Sequence, residues 1–230
     1  MMNRGLLFSC VLLCLLCCEV VKAQSLYYQD DARLWIYFKL NKKLNSKLDF
    51  QLNVQNRIDN NMAVYSQFYV YPELTYKVTK VFRLVAGYVL GKKRQLDGYY
   101  FTSQQAYAGF ILKKNLQKFT FSYRNLLQQQ SRNFPLETTN AAPVLFDRNK
   151  LTLNYEITKR WEVYAAEEIS SRLYPYPQWA FKRSRSFLGT KFNFTKHSYL
   201  ELYFMTQIKQ YDHHLPGRDF IYGITFSQDL

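Results

Sequence analysis

The chain has 230 residues, a formal net charge of +14 and 18% aromatic residues, with only eight glycines and six prolines. Cations in such excess seek anionic partners, and the aromatic content favours strands. Beyond the first two dozen residues no apolar run approaches the roughly 20 residues a membrane-spanning helix needs, which excludes a helical membrane protein.

The N-terminus reads as a secretory signal: Met-Met-Asn-Arg precedes an apolar run from Gly5 to Cys18, and Val21-Lys22-Ala23 ends in a small residue of the kind signal peptidases accept. The run is too short to span a bilayer, where about 20 residues are needed. Residues 1–23 are therefore expected to be removed by cleavage between Ala23 and Gln24, leaving 24–230 as one domain. Cys10, Cys14, Cys17 and Cys18 are all the cysteines of the chain, so the mature domain has no disulfide, Cys-ligated zinc or thiol catalysis to offer. Leu13 and Leu16 stand where a lipoprotein signal needs a small residue before the lipidated Cys. Loss of Arg4, Lys22 and Glu19 leaves 29 basic residues (31 less two) and 16 acidic ones (17 less one), a net of +13. An exported chain of that charge meets lipopolysaccharide phosphates and acidic phospholipids, and nucleic acid is not an expected partner.

Eleven strand-like segments follow, at about 32–41, 47–58, 64–76, 81–92, 99–112, 118–128, 147–157, 161–171, 183–194, 199–209 and 219–228. The second shows the pattern most clearly: Leu48, Phe50, Leu52 and Val54 alternate with Asp49, Gln51, Asn53 and Gln55, giving one apolar and one polar face. The third opposes Phe68, Val70, Pro72 and Leu74 to Gln67, Tyr69, Tyr71, Glu73 and Thr75, and the rest alternate in the same way through Tyr222, Ile224 and Phe226. Short Lys-bearing turns at 41–47, 77–80, 113–118, 158–160 and 195–198 mark one end. Generally longer polar connections at 59–63, 92–98, 129–146, 172–182 and 210–217 mark the other.

That asymmetry, with segments of about ten residues, predicts an all-β, antiparallel up-and-down transmembrane β-barrel of 10–12 strands in a bacterial outer membrane. A soluble sandwich would expose a face rich in Lys and Glu; Tyr, Gln and Asn on the polar face suit a watery, partly filled lumen. Since bacterial barrels normally have an even strand number, twelve is the favoured count. A short strand at 26–29 would supply the twelfth, the alternatives being a luminal plug at 24–31 or ten strands after an irregular first segment.

The stretch 149–160 (NKLTLNYEITKR), with Tyr164, Glu168 and 197–204 (HSYLELYF), resembles the bacterial family known as domain of unknown function 2490, as does the opening 30–35 (DDARLW) with Lys43, Leu44 and Arg57. The resemblance spans the mature chain and implies an outer-membrane barrel. It carries over no catalytic residue, because the family has no established activity.

A lipid-facing Ser–His pair would be the mark of an enzyme on such a barrel. His197 falls in a turn, His213 and His214 fall in the last outer loop, and no Gly-x-Ser-x-Gly elbow is present. No enzymatic activity, cofactor or metal is expected. Glu167 and Glu168 are adjacent, so Glu168 is placed inward and Glu167 near the outer interface, with a bulge or rim position bringing both to polar surroundings.

Inward parity assigns Lys39, Arg57, Arg83, Arg124, Arg183, Arg185, Lys191 and Lys209 against Asp49, Glu73, Glu156, Glu162, Glu168 and Glu201. Arg57, Glu73, Arg83, Arg124, Glu156, Glu168, Arg185 and Glu201 are expected to form the luminal charge network. Bulky inward Trp35, Tyr37, Tyr69, Tyr71, Tyr164, Phe187 and Tyr203 predict a narrow lumen, and the near balance of charge predicts weak ion selectivity. The loop clusters Lys92, Lys93, Arg94 and Arg172, Lys182, Arg183 are placed at the height of lipopolysaccharide phosphates. The expected partners are outer-membrane lipids, lipopolysaccharide and the assembly machinery that reads the last strand, for a chain that is otherwise monomeric. The leading function is a narrow solute channel or structural membrane component, the alternatives being a lipid-modifying enzyme and a surface receptor or adhesion platform.

Overall fold

The computed structural model describes residues 29–94, 98–133, 141–174, 180–210 and 216–230. Eleven strands close into one barrel: β1 (Gln29–Lys43), β2 (Leu48–Asp59), β3 (Val64–Lys77), β4 (Phe82–Arg94), β5 (Tyr100–Leu116), β6 (Phe119–Asn133), β7 (Ala141–Thr158), β8 (Trp161–Tyr174), β9 (Ala180–Asn193), β10 (Ser198–Lys209) and β11 (Gly217–Asp229). Successive strands pair antiparallel, and closure is made by a parallel pair, β1 with β11, running from Gln29 opposite Gly217 to Asn41 opposite Asp229.

This corrects the expected count of twelve. Evenness holds only if the closing pair is antiparallel, and a slanted parallel ladder closes an odd number equally well. Gln29, Asp30 and Asp31 are ladder residues of β1, so they belong to no plug. The remainder of the proposed twelfth strand or plug, 24–28, lies outside the described residues, as do the signal and Ala23–Gln24.

Five connections at one end, 44–47, 78–81, 117–118, 159–160 and 194–197, are two or four residues long. Short polar side chains tie several of them to their own backbone. Asn45 Oδ1 accepts from the Lys47 and Leu48 amides at 2.8 Å, Thr79 Oγ1 from the Phe82 amide at 2.9 Å and Thr158 Oγ1 from the Trp161 amide at 3.1 Å. At the other end the connection expected over 129–146 shrinks to 134–140. β6 and β7 continue pairing beyond the apolar part of their outer face, because amide pairing needs no apolar side chain.

The wall is inverted relative to a soluble protein. Leu188 (66%), Leu151 (58%) and Phe38 (52%) stand exposed on the outside, while Gln55, Ser103, Thr225 and Asp219 are fully buried inside. Trp35, Met205 and Ile221 form a small apolar cluster in the interior, against which Tyr37, Phe187 and Tyr203 pack. The ring of Tyr203 lies on Gly223, where an added Cβ would come within 1.9 Å of it. Gly223→Val is expected to push that ring off its seat and cost about 1–3 kcal/mol, as overpacking does. Denaturant midpoints followed by β-sheet circular dichroism measure this, and an unchanged midpoint would remove Tyr203 from the wall's support.

Candidate functional site

Strand alternation turns the odd residues of β1, β2, β4, β5, β9, β10 and β11 and of β3 from Gln67 onward, and the even residues of β6, β7 and β8, into the lumen, where they line a cavity of about 480 Å³. All seven of the expected bulky aromatics line it. Its charged lining is Arg33, Lys39, Arg57, Lys93, Arg124, Arg148, Lys150, Arg183, Arg185 and Lys209 against Glu73, Glu168 and Glu201. Ten cations face three anions in this lining, which tilts the near balance read from the sequence toward positive charge, although Arg33 and Lys209 are paired with the inward Asp31, Asp59 and Asp219. Three of the expected anions are elsewhere: Asp49 and Glu162 pair with Lys77 (2.6 Å) and Lys191 (3.1 Å) at the turn end, and Glu156 lies exposed at the same end.

Four of the cations flank β8, Arg148 and Lys150 on β7 and Arg183 and Arg185 on β9. Arg148, Ser170 and Arg183 are ladder partners in one row across these strands, and Lys150, Glu168 and Arg185 form the adjacent inward row. The Arg148 guanidinium donates to both oxygens of Glu168 (2.9 and 3.0 Å) and to Gln128 (2.7 Å). Arg185 donates to Glu168 at 3.0 Å and to Gln207 at 2.7 Å. One carboxylate thus answers two guanidiniums, that of Arg185 buried and that of Arg148 half-buried. The Lys150 ammonium sits 4.1 Å from the Phe187 ring centre. Among the described residues neither Lys150 nor Arg183 has a carboxylate at ion-pair distance.

Arg57 stacks on Trp35 at 3.9 Å from the ring centre and donates to Gln55 and Gln67. Glu73 accepts from Arg124 (2.6 Å) and Tyr107 (2.7 Å), and Glu201 accepts from Tyr164 (2.6 Å) with Lys39 at 3.8 Å. Six members of the expected network, Arg57, Glu73, Arg124, Glu168, Arg185 and Glu201, therefore line the cavity. Arg83 and Glu156 do not.

Arg33, Asp31, Asp59, Asp219 and Lys209 make a further network at the loop end, with Arg33 within 3.1 Å of all three carboxylates and Lys209 at 2.7 Å from Asp219. The two basic loop clusters do not hold together as surface patches. Lys92 bonds Thr102 on the outside while Lys93 lines the cavity, and Arg183 lines the cavity while Lys182 has the opposite parity. Arg94 is an exposed residue of β4 and Arg172 a half-buried residue of β8, both toward the loop end.

Glu168 points inward as expected. Glu167 points outward from an unbroken stretch of ladder, the irregularity of the β8–β9 pairing lying at Ser170/Ser171 instead, and it accepts from Ser184 at 2.6 Å. A second outward polar group joins Asn125, Asp147 and Asn149 at 2.8–2.9 Å, with Tyr123. His197 lies in the 194–197 turn; His213 and His214 lie outside the described residues.

Sequence reading missed Arg148 and Lys150 as luminal residues. They share parity with Glu156 along β7, and extending that period backward from Glu156 would have found Lys150 within the segment read and Arg148 at its first residues.

No curated protein matches the sequence. Among solved structures, the chain resembles the β-domain of the Bordetella autotransporter Brka, with a TM-score of 0.51 and 9% identity over 77% of this chain and 82% of that one. The likeness is one of fold. An anion-selective porin from Comamonas acidovorans superposes with a TM-score of only 0.34 and 14% identity, over 76% of this chain and about half of the porin (51%), which is too distant to carry an argument. The family model of a protein of unknown function, DUF2490, matches residues 32–216, and the chain belongs to that family.

Proposed function

We propose that the chain is a bacterial outer-membrane β-barrel, exported by the signal at 1–23, whose lumen is a narrow passage for small anionic solutes. The inverted wall supports the membrane setting, since hydrocarbon is the solvent that suits an apolar exterior around a polar lumen. The observation that carries the functional reading is the cationic luminal lining, in which Glu73, Glu168 and Glu201 answer eight cations, the other two, Arg33 and Lys209, being paired with Asp31, Asp59 and Asp219. Ionic selectivity follows the sign of the charges at a constriction. The seven aromatic side chains in the same lining keep the conductance small.

The test is single-channel recording of the purified barrel across a potassium chloride gradient. The reversal potential is expected to report chloride permeating several-fold faster than potassium, through openings much smaller than a general porin's. Cation selectivity, or large stable openings, would count against the reading. At the loop end, Lys92, Arg94 and Lys182 are the residues we assign to lipopolysaccharide contact, as Arg forks and Lys both pair with phosphate. Replacing all three by Gln is expected to lower the lipopolysaccharide retained on purification, and equal retention would dissolve that assignment. The protein acts in this reading without catalysis, as a monomer placed by the barrel-assembly machinery. A lipid-modifying enzyme is a second reading supported by one observation, the outward Glu167–Ser184 pair; release of fatty acid from purified membrane phospholipids would be its evidence.

A further inference from the structure

We propose that the cations around Glu168, namely Arg148, Lys150, Arg183 and Arg185, together with the Ser170 hydroxyl, form a binding site for a small oxyanion of the phosphate class. The proposal deepens the reading of the lumen as an anion passage and rests on it for the ligand's access.

Three features of the patch point to such a ligand. First, its charge is not closed: four cations share one carboxylate within the patch, a net of +3, and Glu201, the further carboxylate that Lys150 senses, is already held by Lys39 and Tyr164, so the site favours a ligand carrying two or more negative charges over chloride. Second, its two unengaged cations lie on either side of the engaged pair. Arg183 is two residues before Arg185 on the same face of β9, and Lys150 is two residues after Arg148 on β7. Glu168 fixes Arg148 and Arg185 by hydrogen bonds, while among the described residues Arg183 has no carboxylate partner and Lys150 faces only the Phe187 ring. Arg183 is also within electrostatic reach of Arg57, Arg148 and Arg185, a crowding of like charge that a bound anion would relieve. Third, the donors suit tetrahedral oxygens. A guanidinium presents a planar fork that matches phosphate bidentately, an ammonium adds a point charge, and Ser170 stands in the ladder row between Arg148 and Arg183 as a neutral donor. The cavity of about 480 Å³ is within the range that holds small organic ligands, so a phosphate monoester fits as well as the free ion.

Titration calorimetry of the full-length protein in detergent, with inorganic phosphate as the probe and ionic strength held constant with potassium chloride, tests this. Saturable one-site binding is expected. Arg183→Gln and Lys150→Gln, which break no ion pair, are each expected to weaken it by about tenfold or more, the loss of one charge-assisted hydrogen bond. Glu167→Gln, on the outer wall, reports whether substitution in β8 itself disturbs the barrel and is expected to leave binding as it is. Glycerol phosphate binding as well as free phosphate assigns the site to phosphate esters, and free phosphate alone assigns it to the inorganic ion. Succinate binding equally well would overturn the phosphate class, and so would unaltered affinity in the Arg183→Gln/Lys150→Gln double variant. Anion-selective conductance without saturable phosphate binding removes the site and spares the passage. Saturable binding in a barrel that carries no current removes the passage and spares the site.

Discussion

Glu168→Ala is expected to destabilise the barrel by about 3–5 kcal/mol, the usual consequence of removing one partner from a buried ion pair and stranding the other. Glu168 is 6% exposed and holds Arg148 and Arg185 by hydrogen bonds of 2.9–3.0 Å. Without it, four cations on β7 and β9 face one another across β8 with no carboxylate among them. Glu168→Gln separates charge from shape, since it fills the same volume and is expected to lose most of the same stability. Raising the salt concentration supplies chloride and screens the repulsion, so the deficit should shrink in molar potassium chloride. Denaturant midpoints of the refolded protein in detergent measure all three. A loss below about 1 kcal/mol, the scale of an exposed ion pair, would mean that Glu168 is not the charge on which this part of the wall depends.

Deleting residues 220–230 is expected to abolish the folded barrel altogether. β11 pairs along its whole length with β1 on one side and β10 on the other. Its removal opens two edges, and in the membrane setting we propose each unpaired backbone group left in hydrocarbon costs several kcal/mol. The same strand carries the outward Tyr222, Ile224 and Phe226 that we propose the assembly machinery reads, so both folding and delivery are expected to depend on it. The measure is heat-modifiable migration on a gel together with recovery in the outer-membrane fraction. A truncated chain that still migrates as a folded, heat-sensitive species would overturn the closure of β1 on β11. Ile221→Ala, at the centre of the Trp35–Met205–Ile221 cluster, provides a graded version that should weaken the closed state by about 2–5 kcal/mol without opening it.

How far the site was legible can be followed along single strands. In β2 the alternation of Asp49, Gln51, Asn53, Gln55 and Arg57 with Leu48, Phe50, Leu52 and Val54 is regular, so the inward place of Arg57 followed directly. In β7 the same rule applied, yet the outward positions include Asp147 and Asn149 among leucines. With both faces polar there, period two no longer marks which side is which, and Arg148 and Lys150 went unassigned. Glu167 was expected to reach polar surroundings through a bulge or a rim position. It does so through Ser184, a partner on the next strand that no local pattern names.

By itself the sequence determined that the domain after the signal is all-β, that the strands are joined in hairpins by short turns at one end, and that aromatic bulk points to one side of the wall. These are local properties, set by side-chain period and turn chemistry over a few residues. The tertiary structure alone decided that eleven strands suffice, because closure is a pairing between residues nearly 190 positions apart and no local feature distinguishes a parallel from an antiparallel partner. It also decided the charge of the lumen. Inward cations and anions can be counted from parity, but their height depends on the stagger between neighbouring strands, and that stagger put Asp49, Glu156 and Glu162 at the turn end and left ten cations around three carboxylates in the cavity.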